Sequence, residues 1–548
     1  MQNKINLFFS RREFLLPLIL FALFLAASLP GISWGAPALW NPDELVWRAD
    51  MALNGAMQFD VNEPDYNYPS LPKYAMYAIG SVTYGLGRSS FAFIVAARSF
   101  SAFLGAAAGV LVYRLARRIG ARKRIAFLAG LFYIFSGAAA ENGRFAHNDM
   151  YLLFFTILAA LLVVQYQKTS AIRWLYLSFF AVGLAASCKY TGGSLIILPV
   201  VVYLSANWRD IKTRWLAMAG SLVLGGIAAY LGYGLGTPMA FISPVNYFSA
   251  VFPALRNLTN YGFNSGTPLG LFGQWSVLKA TVGVFCYYLF LAGALWFAVR
   301  WLLWVFGRAA FADGLGAVVG AFLLILLIFD LPFMISINYI GRYFIPFIPF
   351  MSILSALMIE EILRLAPDPK PAAVHPVLIT LLVLGFGYSA LRIVSISLLF
   401  LNDARIPATE YIASIRGYQT SIEYTLYPPL IERRRFERAH NYPIYFIEWE
   451  GDEVPPGGRV EDNQAEKGLL ERDTDYFVID SFTYERFYSD SICATTPGEC
   501  DFFKRLIAGD VESYRLLKQF TYRLPPWLPH VSLTAVNPDI LIFERVRR

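Results

Sequence analysis

The stretch RREFLLPLILFALFLAASLPGISW, residues 11–34, decides the fold. Two arginines precede an apolar run from about residue 13 to 33, and a helix needs roughly 20 residues at about 1.5 Å each to cross about 30 Å of hydrocarbon. A basic start followed by an apolar run is also how a signal peptide begins. This run is longer than a signal core, lacks a convincing cleavage site before Trp40 and is followed by further runs of the same kind, so it reads as a retained first span.

The rest of the chain agrees. It has 548 residues, 57% of them hydrophobic and 16% charged, with a mean hydropathy of +0.48, which excludes one ordinary soluble domain. Further apolar runs lie near 91–113, 125–140, 150–166, 174–188, 192–206, 215–236, 276–300, 315–332, 343–363 and 377–400. With the first they make about 11 spans, a polytopic α-helical membrane domain over residues 1–400. From Asp403 the charge density rises and no spanning run appears, so residues 401–548 are expected to form a C-terminal soluble domain. Strand-like runs at 442–449, 475–482 and 539–546, with a helix around 499–508, make that domain mixed α/β.

Basic residues set the orientation. RLARRIGARKR (114–124), Lys168 with Arg173, WRDIKTR (208–214), Arg300 with Arg308, and Arg364 with Lys370 fall in every second loop. The positive-inside rule then predicts a multi-pass protein of the inner (plasma) membrane, with its N-terminus cytoplasmic and its C-terminal domain extracytoplasmic. The net charge of +7 is mostly this topology signal. Because the cations are spread over short loops, no nucleic-acid partner is expected.

Four cysteines and four histidines limit the chemistry. Cys188 and Cys286 lie in apolar segments as small hydrophobes. Cys493 and Cys500 flank ATTPGE, where an oxidising compartment permits a local disulfide. Histidines at 147, 375, 440 and 530 are too scattered for a histidine-built metal site, and no metal or cofactor is called for. The C-terminal domain shows no nucleophile elbow and no phosphate-cradling glycine loop.

Chemistry is therefore expected in the outer loops, where ionisable residues beside spans are costly. WNPDELVWRAD (40–50) offers Asp43 and Glu44, YPSLPKYAMY (68–77) offers Lys73, ENGRFAHND (141–149) offers Glu141, Arg144, His147 and Asp149, CKYTGG offers Lys189, and NYIGRYFIPFIP offers Arg342. All fall on one side of the membrane in this topology. A carboxylate facing several cations suits a reaction in which a hydroxyl is deprotonated while a phosphate leaves. The bland reading is that each Lys or Arg snorkels to the interface and that His147 is merely hydrogen-bonded.

An Asp-Glu pair after the first span, then YPSLPK, then GRFAHND, resembles the GT-C superfamily of polyprenyl-phosphate-sugar-dependent glycosyltransferases. The resemblance is to its protein O-mannosyltransferase and aminoarabinose transferase branch, glycosyltransferase family 39-like. YPSLPK is similar to the family's HPPLGK, with Tyr68 and Ser70 in place of His and Pro. GLAASCKYTG (183–192) and RYFIPFIP (342–349) resemble its later Lys and Arg-Tyr segments, and NDARIPATEYIAS (402–414) resembles the entry to its C-terminal domain. No WWD signature of an oligosaccharyltransferase is present.

The resemblance implies an inverting membrane glycosyltransferase that moves a sugar from a polyprenyl-phosphate donor to a glycan, lipid or protein acceptor at the extracytoplasmic face. It implies Asp43 as catalytic base with Glu44 in support, and Lys73, Arg144, Lys189 and Arg342 on the donor phosphate. Asp149, Tyr68 and Tyr343 support them. Aromatic residues of QFDVNEPDYNYPS and of 243–268 are expected to stack on the sugar or anchor at the interface. The rival class is a transporter or flippase of a lipid-linked sugar; it calls for midplane polar residues and repeated halves, and neither is evident.

Overall fold

The computed structural model describes residues 14–55, 68–260, 274–311, 314–335, 341–365, 374–415, 418–442 and 465–547. The aromatics at 56–67 and 261–268, and the strand-like run 442–449 beyond Tyr442, lie outside them. Two compact units emerge: a larger one within Met1–Ile32, Asp43–Asn260 and Pro268–Val394, and a smaller one that includes Ser33–Pro42 and Ser395–Arg548.

The larger unit is helical, and a helix covers every expected span. Six helices, Ser90–Arg118, Asp149–Thr169, Trp208–Gly236, Gln274–Val305, Gly341–Arg364 and Pro376–Ser414, are long and apolar enough to cross a membrane. Leu15–Ser28 and Ile172–Ala186 are shorter apolar helices. Helix Leu71–Gly85 was not expected as a separate element.

With lipid as apolar as leucine, helices in a membrane associate through close packing, and small residues permit it. A Cβ on Gly183 would stand 1.9 Å from the Ala229 carbonyl oxygen, and one on Gly232 would stand 2.2 Å from that of Phe180. Helices Ile172–Ala186 and Ile211–Gly236 thus touch backbone to backbone. Gly105 makes room in the same way for the Phe24 ring of the first helix, where a Cβ would meet it at 2.4 Å.

The smaller unit carries a five-stranded mixed sheet of β1 (Ser421–Tyr424), β2 (Arg438–Asn441), β3 (Tyr476–Asp480), β4 (Tyr514–Phe520) and β5 (Ile540–Arg545), in the order β2-β1-β3-β5-β4. β1 pairs parallel with β2 and β3, whereas β5 runs antiparallel between β3 and β4. One face of the sheet packs Phe477, Ile479 and Phe543 against Phe502, Phe503 and Leu506 of helix Pro497–Ala508. The other packs Ile422, Val478 and Ile542 against Ala408 and Ile412 of helix Arg405–Ser414. Cys493 and Cys500 form a disulfide with Cα atoms 5.5 Å apart.

Ser33–Pro42 clusters with this smaller unit around one buried arginine. Trp34 Nε1 donates to Asp403 Oδ2 at 2.9 Å. Asp403 also binds Arg405, both fully buried, and the Arg405 guanidinium lies 5.1 Å from the Trp34 ring centroid and 4.4 Å from that of Trp40.

Candidate active site

A backbone link builds the site. Leu45 N–H donates to the Ala146 carbonyl at 2.9 Å, and Ala146 N–H donates to Glu44 Oε1 at 2.7 Å. This double tie holds the loop after the first helix against the loop before Asp149–Thr169. Asp43 and His147 lie just beyond it and act on each other electrostatically.

A second tie brings in the remaining segments. Leu71 N–H donates to the Ser187 carbonyl at 3.2 Å, Ser70 N–H to Thr237 Oγ1 at 3.3 Å, and Asn148 Nδ2 to the Cys188 carbonyl at 3.0 Å. Gly236 permits this crowding, because a Cβ there would stand 2.2 Å from Ser187 Oγ and 2.9 Å from Leu71 Cβ. The starts of helices Leu71–Gly85 and Asp149–Thr169 and the segment around Lys189 therefore share one place.

The side chains form a charged chain. Arg342, on the 3-10 helix Gly341–Phe347, places Nη2 2.9 Å from Asp43 Oδ2; Asp43 is 42% exposed and Arg342 12%. Lys189 Nζ lies 2.9 Å from Asp149 Oδ1 and 4.7 Å from the Tyr343 ring centroid. His147 Nδ1 lies 2.9 Å from Asp149 Oδ2, and the Tyr68 ring packs edge-on to the imidazole with centroids 5.3 Å apart. Burial pushes the Asp43 carboxyl up, but Arg342 and His147 outweigh it and hold it below the usual carboxylate value. Burial raises the Tyr68 phenol, so it stays neutral.

Asp43, Lys189, Arg342, Asp149, Tyr68 and Tyr343 are thus brought together. Lys73 is 1% exposed in the first turn of Leu71–Gly85. A cation there works against the helix dipole.

Two of the expected site residues are engaged elsewhere. Glu44 turns away from Asp43: Arg98 Nε and Nη2 grip its two oxygens at 2.8 and 2.7 Å, with both side chains fully buried. That carboxylate is fully buried on these partners. Arg144 likewise spends its nitrogens on structure, with Nε on the Pro30 carbonyl at 2.9 Å, Nη1 on Ala140 at 2.7 Å and Nη2 on Ala27 at 2.7 Å. Two of these carbonyls, Ala27 and Pro30, lie at the end of the first helix, where carbonyls need donors from outside it.

Sequence reasoning passed over one residue that the structure makes central, Arg98, and weighed another, His147, mainly as a hydrogen-bonded loop residue. Arg98 lies inside the apolar run 91–113, where an ionisable residue is a functional signal by default. His147 sits two residues before an aspartate that opens a helix, the spacing at which a side chain reaches that carboxylate. Among the described residues no group of three or more His, Cys, Asp or Glu is arranged to hold a metal.

The chain has the GT-C membrane fold. It is similar to the oligosaccharyltransferase of Archaeoglobus fulgidus tethered with an acceptor peptide, with a TM-score of 0.53 and 10% identity over 98% of this chain and 89% of that one. It is also similar to ArnT from Cupriavidus metallidurans bound to undecaprenyl phosphate, with a TM-score of 0.50 and 13% identity over 96% of this chain and 97% of that one. Residues 73–237 match the family dolichyl-phosphate-mannose-protein mannosyltransferase. The chain thus resembles the mannosyltransferase and aminoarabinose transferase branch, as its motifs implied. An uncharacterized protein of Aquifex aeolicus (strain VF5) is 30% identical over 177 residues, 31% of this chain. The match spans about a third of that relative's length, 34%.

Proposed function

We propose that this protein transfers a sugar from a polyprenyl-phosphate donor to an acceptor hydroxyl or phosphate group at the extracytoplasmic face of the membrane, with inversion at the anomeric carbon. One observation carries the reading: an accessible carboxylate, Asp43, ion-paired to Arg342 and within electrostatic reach of His147 and Asp149. Asp43 engages the acceptor and carries the positive charge that develops on its oxygen. Arg342 and Lys189, with Lys73 from the start of Leu71–Gly85, neutralise the phosphate as the carbon–oxygen bond breaks, which removes the need for a general acid.

The donor's tail has a place near these cations. Phe344 and Phe347, two and five residues after Arg342, line an apolar cavity of about 420 Å³ with Leu278, Leu291, Leu323 and Met351. A polyprenyl chain is the occupant that fits an apolar cavity next to a phosphate-binding arginine. The neighbouring structures support this, since ArnT is bound to undecaprenyl phosphate.

The test uses purified full-length protein, undecaprenyl phosphate carrying a tritiated sugar, and a solubilised cell-envelope fraction as acceptor. Release of undecaprenyl phosphate is expected only with acceptor or slowly with water, and Asp43→Asn should bind donor but turn it over far more slowly. Undiminished turnover by Asp43→Asn would sink the assignment, while movement of intact donor across a vesicle membrane would favour a flippase.

A further inference from the structure

Asp43 is poorly matched to removing a proton. Its carboxyl lies below the usual carboxylate value, and so weak a base takes a proton only after the hydroxyl has largely lost it. His147 supplies what Asp43 lacks. Its Nδ1 lies 2.9 Å from Asp149 Oδ2, and Lys189 binds the other oxygen of that carboxylate at 2.9 Å. An ionised carboxylate only accepts hydrogen bonds, so the shared hydrogen belongs to Nδ1 and the neutral ring presents a lone pair at Nε2.

The surroundings of that lone pair are informative. His147 is 3% exposed, and its Nε2 has no hydrogen-bond partner among the described residues; nor have Asn148 Oδ1 and Arg342 Nε. Buried polar atoms nearly always have partners. Each of these three side chains keeps a buried polar atom with bonding capacity for a polar ligand.

We propose that His147 is the proton acceptor of the transfer reaction: Nε2 takes the hydrogen of the acceptor hydroxyl, Asp149 fixes the tautomer through Nδ1, and Asp43 orients the same hydroxyl. The proposal rests on the glycosyl-transfer reading above. The acceptor O–H bond breaks, its proton goes to Nε2, and the oxygen's electron pair forms the bond to the anomeric carbon. The bond from that carbon to the phosphate oxygen breaks, leaving its pair on the phosphate beside Arg342. The imidazolium then returns its proton to the released phosphate monoester, whose second pKa is about 6.

The groups that set the proton affinity of His147 come from several segments: Asp149 on its own, Lys189 before Tyr190–Ile196, Arg342 on Gly341–Phe347, and Asp43 after the first helix. Burial lowers it, Asp149 raises it, Arg342 and Lys189 lower it again, and it ends below the ordinary histidine value of 6.5. His147 is therefore neutral and ready at pH 7, and turnover should rise with pH along an acid limb centred below 6.5.

The experiment measures release of tritiated sugar to water by full-length protein in detergent, with undecaprenyl phosphate carrying mannose, glucose or aminoarabinose as the probes. For His147→Gln, turnover should fall about 10²- to 10³-fold, donor affinity should stay within about twofold, and the acid limb should vanish. Imidazole added to His147→Gly should restore turnover at least tenfold, and the residual activity of Asp43→Asn should keep the limb. Donor binding by each variant certifies its fold. Wild-type turnover with an unaltered rate and limb in His147→Gln overturns the histidine's role and leaves glycosyl transfer standing. Wild-type protein that processes no donor, with water or with the cell-envelope fraction, overturns both.

Discussion

Two neighbouring carboxylates meet two arginines and come to opposite ends. Glu44 and Arg98 are both fully buried, held by two hydrogen bonds, with Arg98 Nη1 also on the Ile32 carbonyl at 3.0 Å. Asp43 and Arg342 share one close contact, and Asp43 keeps 42% of its side-chain surface exposed. The first pair is shut away from solvent and ties the loop to the bundle. The second is incomplete, since Arg342 Nε has no partner among the described residues. Chemistry belongs where charge is held but not used up.

The sharpest way to break this contrast is to remove the structural arginine. Arg98→Ala leaves Glu44 buried without its cation, which costs about 3–5 kcal/mol. It should yield little folded protein by size-exclusion chromatography in detergent. Recovery of folded, active Arg98→Ala would show that the buried pair does not hold the loop. Asp43→Asn, one residue away from Glu44, should do the reverse: normal yield and melting temperature, with turnover lower by about 10²- to 10⁴-fold. Arg342→Gln stands between them. It should weaken donor binding about tenfold and leave the fold intact, because Arg342 is partly open and pairs with an exposed partner.

Much of the larger unit was legible because a span is a long, uniform signal: every apolar run became a helix. The smaller unit was less so. β1 and β2 are four residues each, and β2 is a largely exposed edge strand whose RAHN carries no alternation. β4 shows mostly exposed positions in YRLLKQF, so period-two burial was absent from the sequence where it was sought. At the site, residue types and sidedness were readable, whereas partners were not. Asp43 and Glu44 differ by one position in a loop without periodicity, and only the pairing of Glu44 and Leu45 with Ala146 decides which points to Arg98. The contacts of Arg144 were not legible because two of its three carbonyl partners, Ala27 and Pro30, lie more than 100 residues away in the sequence.

A third carboxylate extends the comparison and carries the smallest effect. Glu141 lies on the short helix Ala138–Asn142, close enough to Arg392 and Arg144 to feel their charge. Both cations are engaged with carbonyls, Arg392 Nη1 with that of Ser136 at 3.1 Å and Arg144 with those already named. Burial therefore prevails over their attraction, and the Glu141 carboxyl is raised from 4.5 to about 7. The sign of the linkage follows. The folded state holds this proton more tightly than the unfolded one, so the contribution is fully present below pH 4.5 and is lost as pH rises through about 7. Glu141→Gln keeps the shape and removes the titration. It should melt higher than wild type at pH 8 and no higher at pH 5, in thermal unfolding followed by tryptophan fluorescence. Equal shifts at both pH values would mean that Glu141 is ionised at no cost, and that a carboxylate here needs neither the grip given to Glu44 nor the exposure given to Asp43.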